Sequence, residues 1–489
     1  MRDFIQKHTL LCIMALAMVW ALAFQGTRGL IEPDEGRYSN VALQILQHND
    51  WISLYRNQDS LHFTKPPLTY WTMAASVAVI GHNEWAVRLP MALAFVLSVF
   101  LVYRLGQIFV PRRPWLPALL FLASPLAYLA SNTINTDTLL AAIVTLGVSC
   151  YCQYRFASNT SRWLDAMWLA FGLAFLTKGP PGLLPLLAII VYAVWHKHGL
   201  ALLRPWGLLG FAIIGLGWYL LVILRHPGLL EYFLGHEVMA RIASNTHNRN
   251  SAWYGAFETY VPVMLLAVLP ALAAVAVYWR QTQASEQPHV HSRFLWLWLL
   301  LPLGIFFLAK SRLPLYILGL TVPAVLLLSR RLQDVRFGRS ATVVLAVWLL
   351  FLLGIKGYAG ELLHDKKDSR VFATDIGPLL PGKPAQFIFV EDMTRNGLNL
   401  YFDADIKKVS YVPRPKPISD APYDTSLGEE LQRPADRRIF IFKRETEARF
   451  LAALEAQSIQ PVKLGEWQEG KKPGARDRMI YTLENEFVK

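Results

Sequence analysis

The chain has 489 residues, of which 54% are hydrophobic, 12% aromatic and only 17% charged. Soluble globular proteins carry about 25% charged residues, so the composition excludes an ordinary soluble domain. The net charge is +13, but the basic residues are scattered through short loops between apolar segments. That pattern indicates membrane topology rather than a nucleic-acid partner. Cys12, Cys150 and Cys152 lie within or beside apolar segments and form neither a disulfide framework nor a CxxC pair.

Long apolar segments predict a polytopic helical membrane protein. A helix needs about 20 mainly apolar residues to cross about 30 Å of hydrocarbon, and eleven stretches approach that length. We predict spans at about 9–27, 88–109, 115–131, 137–154, 163–177, 181–196, 206–224, 256–279, 294–309, 314–329 and 341–357. The first apolar run is longer than the h-region of a signal peptide and no small-residue cleavage site follows it, so we expect a retained helix.

The basic residues of the loops predict the orientation. Lys and Arg favour short cytoplasmic loops. If the N-terminus, with Arg2 and Lys7, lies inside, every inside loop carries at least two basic residues. An odd number of spans then places the C-terminus outside.

Two long outer loops and a C-terminal region complete the predicted organisation. The first loop, 28–87, contains "EGRYSNVALQILQHNDW" and "PPLTYWTMAASVAVIG", which predict interfacial or re-entrant helices. The second covers 225–255. From about residue 359 the hydrophobicity falls, and short β-like runs flank the helical pattern "ETEARFLAALEAQ". We predict an all-α membrane domain over 1–358 and a small α/β domain over 359–489.

With this orientation, polar residues from distant loops fall on the outer membrane face. Polar groups at membrane depth are costly and tend to be functional. The residues are Asp34, Glu35, Lys65, Asp137, Lys178, His236, Glu237, Arg241, His247, Lys310 and Arg312. A carboxylate there can deprotonate an acceptor hydroxyl, and lysines and arginines can hold a departing phosphate. No nucleotide-binding motif appears, so we expect a lipid phosphate donor.

Each of these residues also has a structural interpretation. Asp34 and Glu35 could be solvated residues that favour the start of a helix, and Lys178, like the cations of "AKSRLPLY", could be a snorkelling anchor. Asp137 would enter hydrocarbon without a partner, so this interpretation fits it less well. The histidines lack the HExxH spacing of a zinc site.

Taken in order, the motifs around these residues resemble a known family. "EPDEGRY", "FTKPPLTYW", "HNEWAVRLP", "NTDTLL", "FLTKGPPGLLP", "HEVMAR" and "SRLPLYILGL" resemble the bacterial GT-C glycosyltransferases, and more narrowly the protein O-mannosyltransferase-like and aminoarabinose (lipid A) transferase families. The resemblance runs from residue 30 to about 325. It implies an inverting sugar transfer from a polyprenyl-phosphate donor, on the periplasmic face of a bacterial inner membrane.

The resemblance also implies roles for individual residues. Asp34 matches the acidic residue that is the leading candidate for the general base. The candidate catalytic residues are Asp34, Glu35 and Asp137. The candidate residues for donor phosphate are Lys65, Lys178 and Arg241. Further site candidates are Arg37, Tyr38, His236, Glu237, Lys310 and Arg312.

One position departs from the family pattern. The resemblance to the aminoarabinose transferases implies a glutamate before the lysine of "FTKPP", as part of a proposed metal site. This chain has Thr64 at that position. We therefore assign no metal ligands and no cofactor. A divalent metal is optional, because phosphate is a good leaving group.

The sequence thus predicts a membrane glycosyltransferase that acts on lipid A or lipopolysaccharide. A protein, another envelope polymer or a carrier lipid is the alternative acceptor. A lipid or sugar transporter is the alternative from another class, but transporters usually show repeat symmetry and broken mid-membrane helices. A non-catalytic scaffold would leave the clustered charges unexplained. The expected partners are the lipid-linked donor, the acceptor and membrane lipids, with no nucleic acid, and we expect a monomer.

Overall fold

The structure is a computed structural model that describes residues 2–239, 250, 252–283, 291–358, 367–468, 474, 477–484 and 486–487, of which 2–7, 236–239 and 283 are described by their backbone only. The chain forms two compact units. The helical unit comprises Met1–Gln25, Lys65–Thr69 and Arg88–Gly357. The sheet unit comprises Gly26–Thr64, Tyr70–Val87 and Tyr358–Lys489.

The helical unit is built from α-helices with short 3-10 and π-helical segments. Its α-helices are Arg2–Leu22, Glu84–Phe109 (whose first residues belong to the sheet unit), Trp115–Leu122, Pro125–Ser131, Thr136–Cys152, Arg162–Lys178, Leu184–Trp195, Pro205–Phe211, Gly217–Arg225, Leu229–Glu231, Gly255–Val277, Trp279–Gln283, Ser292–Leu308, Thr321–Leu332 and Arg339–Gly357. The 3-10 segments are Pro180–Leu183, Gly199–Leu202 and Pro314–Leu320, and the π-helical segments are Gln153–Ser158, Ala212–Leu216 and Tyr232–Met239.

Within the described part of the chain, six helical segments are long and apolar enough to cross a membrane. They are Glu84–Phe109, Thr136–Ser158, Pro205–Arg225, Gly255–Val277, Pro314–Leu332 and Arg339–Gly357. Only 22% of the most apolar part of Pro205–Arg225 and 11% of that of Arg339–Gly357 is buried inside the protein. Helices that expose this much apolar surface need lipid around them. The prediction of a multi-span helical membrane protein is confirmed.

One predicted span is divided. The apolar stretch 115–131 forms the two short helices Trp115–Leu122 and Pro125–Ser131. Ser124 caps the second helix by accepting a hydrogen bond from the backbone N–H of Ala127 at 3.3 Å. Because Pro125 cannot donate a backbone hydrogen bond, the first helix ends before it and a new one begins.

A six-stranded mixed sheet forms the core of the C-terminal residues. Its strands are β3 (Gln386–Val390), β4 (Asp405–Ser410), β5 (Thr425–Ser426), β6 (Arg438–Lys443), β7 (Pro461–Trp467) and β8 (Arg478–Leu483), in the order β5-β4-β3-β6-β8-β7. Strands β5, β4, β3 and β6 are parallel, and β8 pairs antiparallel with both β6 and β7. The accompanying helices are Ser369–Ile376, Gly377–Leu379 (3-10), Leu398–Phe402, Leu427–Leu431, Arg444–Thr446 (3-10) and Glu447–Glu455.

Both faces of this sheet are buried. Successive side chains of a strand point to opposite faces. Phe387 of β3 accordingly belongs to one apolar cluster, with Ile406 and Ile439, whereas Ile388 belongs to another, with Phe440. Parallel strands covered on both faces are typical of α/β domains, and the predicted C-terminal α/β fold is confirmed.

The first long loop also folds in the sheet unit. It forms the helix Asp34–His48, the hairpin strands β1 (Tyr55–Asn57) and β2 (Ser60–Leu61), and the helix Leu68–Ile80, whose first residues belong to the helical unit. The first helix was predicted from the helical spacing of apolar residues in "EGRYSNVALQILQHNDW", and the second from the short apolar run "PPLTYWTMAASVAVIG". The sheet unit therefore includes loop residues that the predicted domain 1–358 assigns to the membrane part.

Candidate active site

Asp34 is an exposed carboxylate at the start of a helix. The preceding Glu32–Pro33 peptide is cis, and Asp34 is the first residue of the helix Asp34–His48. Its side chain is 68% exposed and accepts a hydrogen bond from Nη2 of Arg37, the distance being 2.7 Å. The positive end of the helix dipole favours a negative charge at this position. An exposed carboxylate of this kind can meet an incoming hydroxyl.

Glu35, the next residue, is buried and paired. Its two carboxylate oxygens accept hydrogen bonds from the guanidinium of Arg28 at 2.5 and 2.8 Å, and the backbone N–H of Ile31 donates to it at 3.0 Å. Two-point pairing with arginine gives a fixed geometry. This arrangement favours a supporting role for Glu35, with Asp34 as the group that reaches solvent.

Aromatic residues pack beside the start of this helix. The guanidinium of Arg37 lies 5.6 Å from the ring centroid of Tyr38, whose ring centroid is 5.7 Å from that of Tyr70. The hydroxyl of Tyr70 is 3.3 Å from Nε2 of His62, and the hydroxyl of Thr64 is 2.8 Å from the same nitrogen. Arg37 and Tyr38 therefore belong to one packed cluster with residues 62–64. Residue 65, the predicted phosphate-binding lysine, follows this cluster in the sequence and is half-buried.

In the helical unit, Asp137 and Lys178 form an ion pair. Asp137 lies in the first turn of Thr136–Cys152, and Lys178 is the last residue of Arg162–Lys178, so each charge complements the dipole of its helix. Their side chains are only 13% and 7% exposed. The ammonium of Lys178 also lies 4.1 Å from the ring centroid of Tyr316, within the range of a cation–π contact.

A narrow apolar cavity opens beside this pair. The residues that line it are Asp137, Leu140, Ala141, Val144, Pro181, Leu184, Pro185, Pro302, Phe306, Leu315, Tyr316, Gly319 and Leu320. Asp137 supplies the charged group of the lining and Tyr316 a hydroxyl. The cavity is small, about 40 Å³, and both of its polar groups contact Lys178.

The two cations of "AKSRLPLY" differ in their surroundings. Lys310 is exposed. Arg312 is 5% exposed, and its guanidinium donates to the backbone carbonyls of Asn250, Ala252 and Phe307 at 2.6, 2.7 and 3.0 Å. Arg312 thus connects residues 250 and 252, at the end of the second long loop, to the end of the helix Ser292–Leu308.

Several predicted site residues lie outside the described part of the chain. They are the side chains of His236 and Glu237, and the residues Arg241 and His247.

Two residues that the sequence reasoning did not select take part in these clusters. Tyr316 contacts Lys178. It is the last residue of the "SRLPLY" motif, from which the sequence analysis predicted only the cations as site residues. Glu32 is buried, and burial raises the pKa of its carboxyl from 4.5 to about 8, against the hydrogen bonds from Gly397 and Ser369. The sequence feature that could have indicated Glu32 is its place in "EPDE", directly before the proline and beside the two predicted acids.

The described residues around Thr64 do not fit the metal site that is proposed for the aminoarabinose transferases. Among the described residues no three His, Cys, Asp or Glu side chains come together in a way that could hold one. At the position where the resemblance expects a glutamate, the hydroxyl of Thr64 is 2.8 Å from Nε2 of His62. We therefore derive no chemical step through a metal.

Comparison with protein families and curated proteins identifies relatives. A family model described as dolichyl-phosphate-mannose-protein mannosyltransferase matches residues 64–224. Undecaprenyl phosphate-α-4-amino-4-deoxy-L-arabinose arabinosyl transferase 1 of Pseudomonas fluorescens strain Pf-5 is 32% identical over 345 residues, which cover 69% of this chain and 61% of the relative. The transferase of Pseudomonas aeruginosa strain UCBPP-PA14 is 32% identical over 326 residues, which cover 64% and 58%. The chain spans about three fifths of the length of the curated relatives it matches.

Comparison with solved structures identifies the fold. The crystal structure of ArnT from Cupriavidus metallidurans bound to undecaprenyl phosphate matches 97% of this chain and 98% of its own, with a TM-score of 0.75 and 19% identity. The apo state of the same protein matches 96% and 97%, with a TM-score of 0.71 and 19% identity. At this identity the match shows the fold alone. The resemblance predicted from the motifs is confirmed: the chain is similar in sequence to the protein O-mannosyltransferase-like and aminoarabinose transferase-like families of GT-C membrane glycosyltransferases, and it shares the fold of ArnT.

Proposed function

We propose that the protein is an inverting glycosyltransferase that moves a sugar from a polyprenyl-phosphate donor to an acceptor of the bacterial envelope, with lipid A or lipopolysaccharide as the preferred acceptor. The names of the curated relatives describe an undecaprenyl-phosphate-linked aminoarabinose donor. The ArnT crystal structure that shares this fold was solved bound to undecaprenyl phosphate. Both support a lipid-linked donor for this chain.

The observation that carries the proposal is the selective exposure of Asp34. Three carboxylates lie within residues 32–35, and two of them, Glu32 and Glu35, are buried at 2% and 4% exposure. The side chain of Asp34 is 68% exposed. Of these three acids, Asp34 is the one that an acceptor hydroxyl can reach.

The chemistry is a single displacement. Asp34 takes the proton from the acceptor hydroxyl as that oxygen attacks the anomeric carbon of the sugar. The bond between the anomeric carbon and the phosphate oxygen breaks, and the polyprenyl phosphate leaves with the electron pair. Attack from the face opposite the leaving group inverts the configuration at the anomeric carbon.

The departing phosphate carries negative charge that cations stabilise. We assign this role to Lys65, Lys178 and Arg241. Lys178 is held by Asp137 and by the face of Tyr316 beside the apolar cavity. A phosphate that approached this cavity would share Lys178 with Asp137.

The same proposal fixes the location. The protein lies in the bacterial inner membrane, with its N-terminus in the cytoplasm and residues 359–489 in the periplasm. Lys and Arg in the predicted cytoplasmic loops support this orientation. The lipid-linked donor reaches the site from the bilayer and the acceptor reaches it from the periplasm.

A protein acceptor is the second candidate. The specific observation in its favour is the match of residues 64–224 to the protein mannosyltransferase family model.

Mass spectrometry of lipid A and polyprenyl-phosphate sugars tests the proposal, with cells that carry or lack the gene. We expect one lipid A glycoform to disappear and its lipid-linked donor to accumulate in cells that lack the gene. Donor accumulation with unchanged lipid A would move the acceptor to protein or another polymer. If neither pool changes while the gene is expressed, the transferase proposal is contradicted and the transporter alternative gains support.

A further inference from the structure

Glu32 is buried against residues from the far end of the chain. Its Oε1 accepts a hydrogen bond from the hydroxyl of Ser369 at 2.8 Å and another from the backbone N–H of Gly397 at 2.6 Å. Ser369 begins the helix Ser369–Ile376, and Gly397 precedes the helix Leu398–Phe402. One carboxyl oxygen thus joins the loop of Asp34 to two C-terminal elements of the same unit.

The packing around this carboxyl leaves no room for extra atoms. A Cβ on Gly36 would lie 2.1 Å from Oε1 of Glu32, and a Cβ on Gly397 would lie 2.6 Å from the hydroxyl oxygen of Ser369. Real Cβ atoms essentially never come this close to another atom. Glycine at both positions therefore permits the contact.

Backbone hydrogen bonds reinforce the same junction. The N–H of Glu32 donates to the carbonyl of Lys367, and the N–H of Ser369 donates to the carbonyl of Leu30, both at 2.9 Å. Residues 31 and 368 form an antiparallel bridge. The carboxylate of Asp368 also accepts from the N–H of Gly29 at 3.1 Å. Residues 29–32, which precede Asp34, are thus hydrogen-bonded to residues 367–369.

We propose that Glu32 is a positioning residue for Asp34. Its hydrogen bonds with Ser369 and Gly397 attach the loop to the C-terminal segment, which thereby sets the orientation of Asp34. The inference rests on the proposed function of Asp34 as the base. Asp34 lies two residues after Glu32, so a shift of the Glu32 carboxyl moves the backbone that carries Asp34. Displacement of a reacting group by about 1 Å can cost about 100-fold in rate.

The test compares purified full-length variants added to membrane vesicles of the gene-deletion strain, which supply both donor and acceptor. Glu32→Ala should lower kcat by about tenfold or more with little change in KM. Glu32→Gln keeps the accepting oxygen, so we expect it to retain a kcat close to that of the unaltered protein. Ser369→Ala should fall between these two.

Ser410→Ala is the matched control. Ser410 is also 0% exposed and its hydroxyl also makes one hydrogen bond, to the carbonyl of Val412, but it has no bond to the first loop in the described structure. We expect it to retain full activity. Unchanged kcat in Glu32→Ala would overturn the proposal, as would equal losses in Glu32→Ala and Glu32→Gln.

Hydrogen exchange of backbone amides 30–38 gives a readout that does not need activity. We expect faster exchange there in Glu32→Ala, and unchanged exchange in Glu32→Gln and Ser410→Ala. If Asp34→Asn keeps full activity while exchange behaves in this way, the proposed base is wrong but the anchoring of the loop stands. Unchanged exchange in Glu32→Ala would contradict the anchoring itself.

Discussion

The carboxylates of residues 32–35 divide structural and chemical roles between them. Glu32 and Glu35 are buried and accept hydrogen bonds from Ser369, Gly397 and Arg28. Asp34 faces solvent between them. Buried acids with fixed partners cannot reach a substrate, so Glu32 and Glu35 stabilise the loop. The exposed carboxylate of Asp34 can accept a proton from the acceptor hydroxyl.

The raised pKa of Glu32 predicts a pH-dependent stability. Burial raises this pKa from 4.5 to about 8, and the facing charges of Arg395 and Arg37 lower it only in part. Since the folded pKa lies above the unfolded one, the stabilisation is complete below about pH 4.5 and is lost as the pH rises towards 8. The side chain of Glu32→Gln does not titrate, so the Tm of this variant minus that of the unaltered protein should increase as the pH rises from 5 to 8. A constant difference in Tm over that range would contradict the assignment.

The residue types alone do not separate these three acids, and Asp34 was preferred as the base only through the family resemblance. All three precede or begin a helix, and each is compatible with a general base. Their difference is burial, which depends on Arg28 and on residues 369 and 397, more than 330 positions away. For Asp137 the sequence predicts that a carboxylate entering an apolar helix needs a partner, and the structure shows that Lys178 is that partner.

At the scale of elements, the pair Asp137–Lys178 joins the helices Thr136–Cys152 and Arg162–Lys178. Removing one partner of a buried pair leaves an uncompensated charge and costs about 3–5 kcal/mol. Lys178→Met alone should therefore lower the Tm, and the double variant Asp137→Asn/Lys178→Met should restore much of it. If Lys178 also binds phosphate, the double variant will be stable but slow, as measured by Tm and by transfer to membrane vesicles.

The pair Asp165–Arg204 is the matched control for this experiment. It also involves the helix Arg162–Lys178, but its side chains are 24% and 31% exposed. Ion pairs this open to solvent contribute little to stability, so Asp165→Asn should change both the Tm and the activity little. Full activity in the stable double variant would remove Lys178 from phosphate binding.

Most elements followed from their local sequence pattern. The β-like runs predicted in the C-terminal region are "AQFIFVED", "KKVSYV", "RRIFIFKR" and "RMIYTLEN". They correspond to β3, β4, β6 and β8, and the helical pattern "ETEARFLAALEAQ" corresponds to Glu447–Glu455. Strand β7, "PVKLGEW", was not predicted, because as an edge strand it exposes Val462 and Lys463 and lacks a continuous apolar run. The division of 115–131 depends on the Ser124 cap, a local signal that the hydropathy of the stretch conceals.

At the scale of the whole molecule, most of the first long loop (Gly26–Thr64 and Tyr70–Val87) and the C-terminal sheet form one compact unit. The sequence predicted both parts but not their association, because the contacts of Glu32 and Asp368 join positions that no periodicity connects. The domain boundary between residues 358 and 359 and the number of eleven spans stay predictions. The association gives the C-terminal residues a direct role in shaping the loop of Asp34.

The most direct test of the account is the transfer rate of purified Asp34→Asn with membrane vesicles of the gene-deletion strain. Asparagine keeps the size of the side chain but cannot accept the proton, and loss of a general base costs about 100-fold or more. The control is Asp403→Asn, which alters another exposed aspartate of the sheet unit, 52% exposed and paired with Lys383. The account predicts a rate about 100-fold lower for Asp34→Asn, with expression and Tm unchanged, and a normal rate for Asp403→Asn. A normal rate for Asp34→Asn would contradict the central claim.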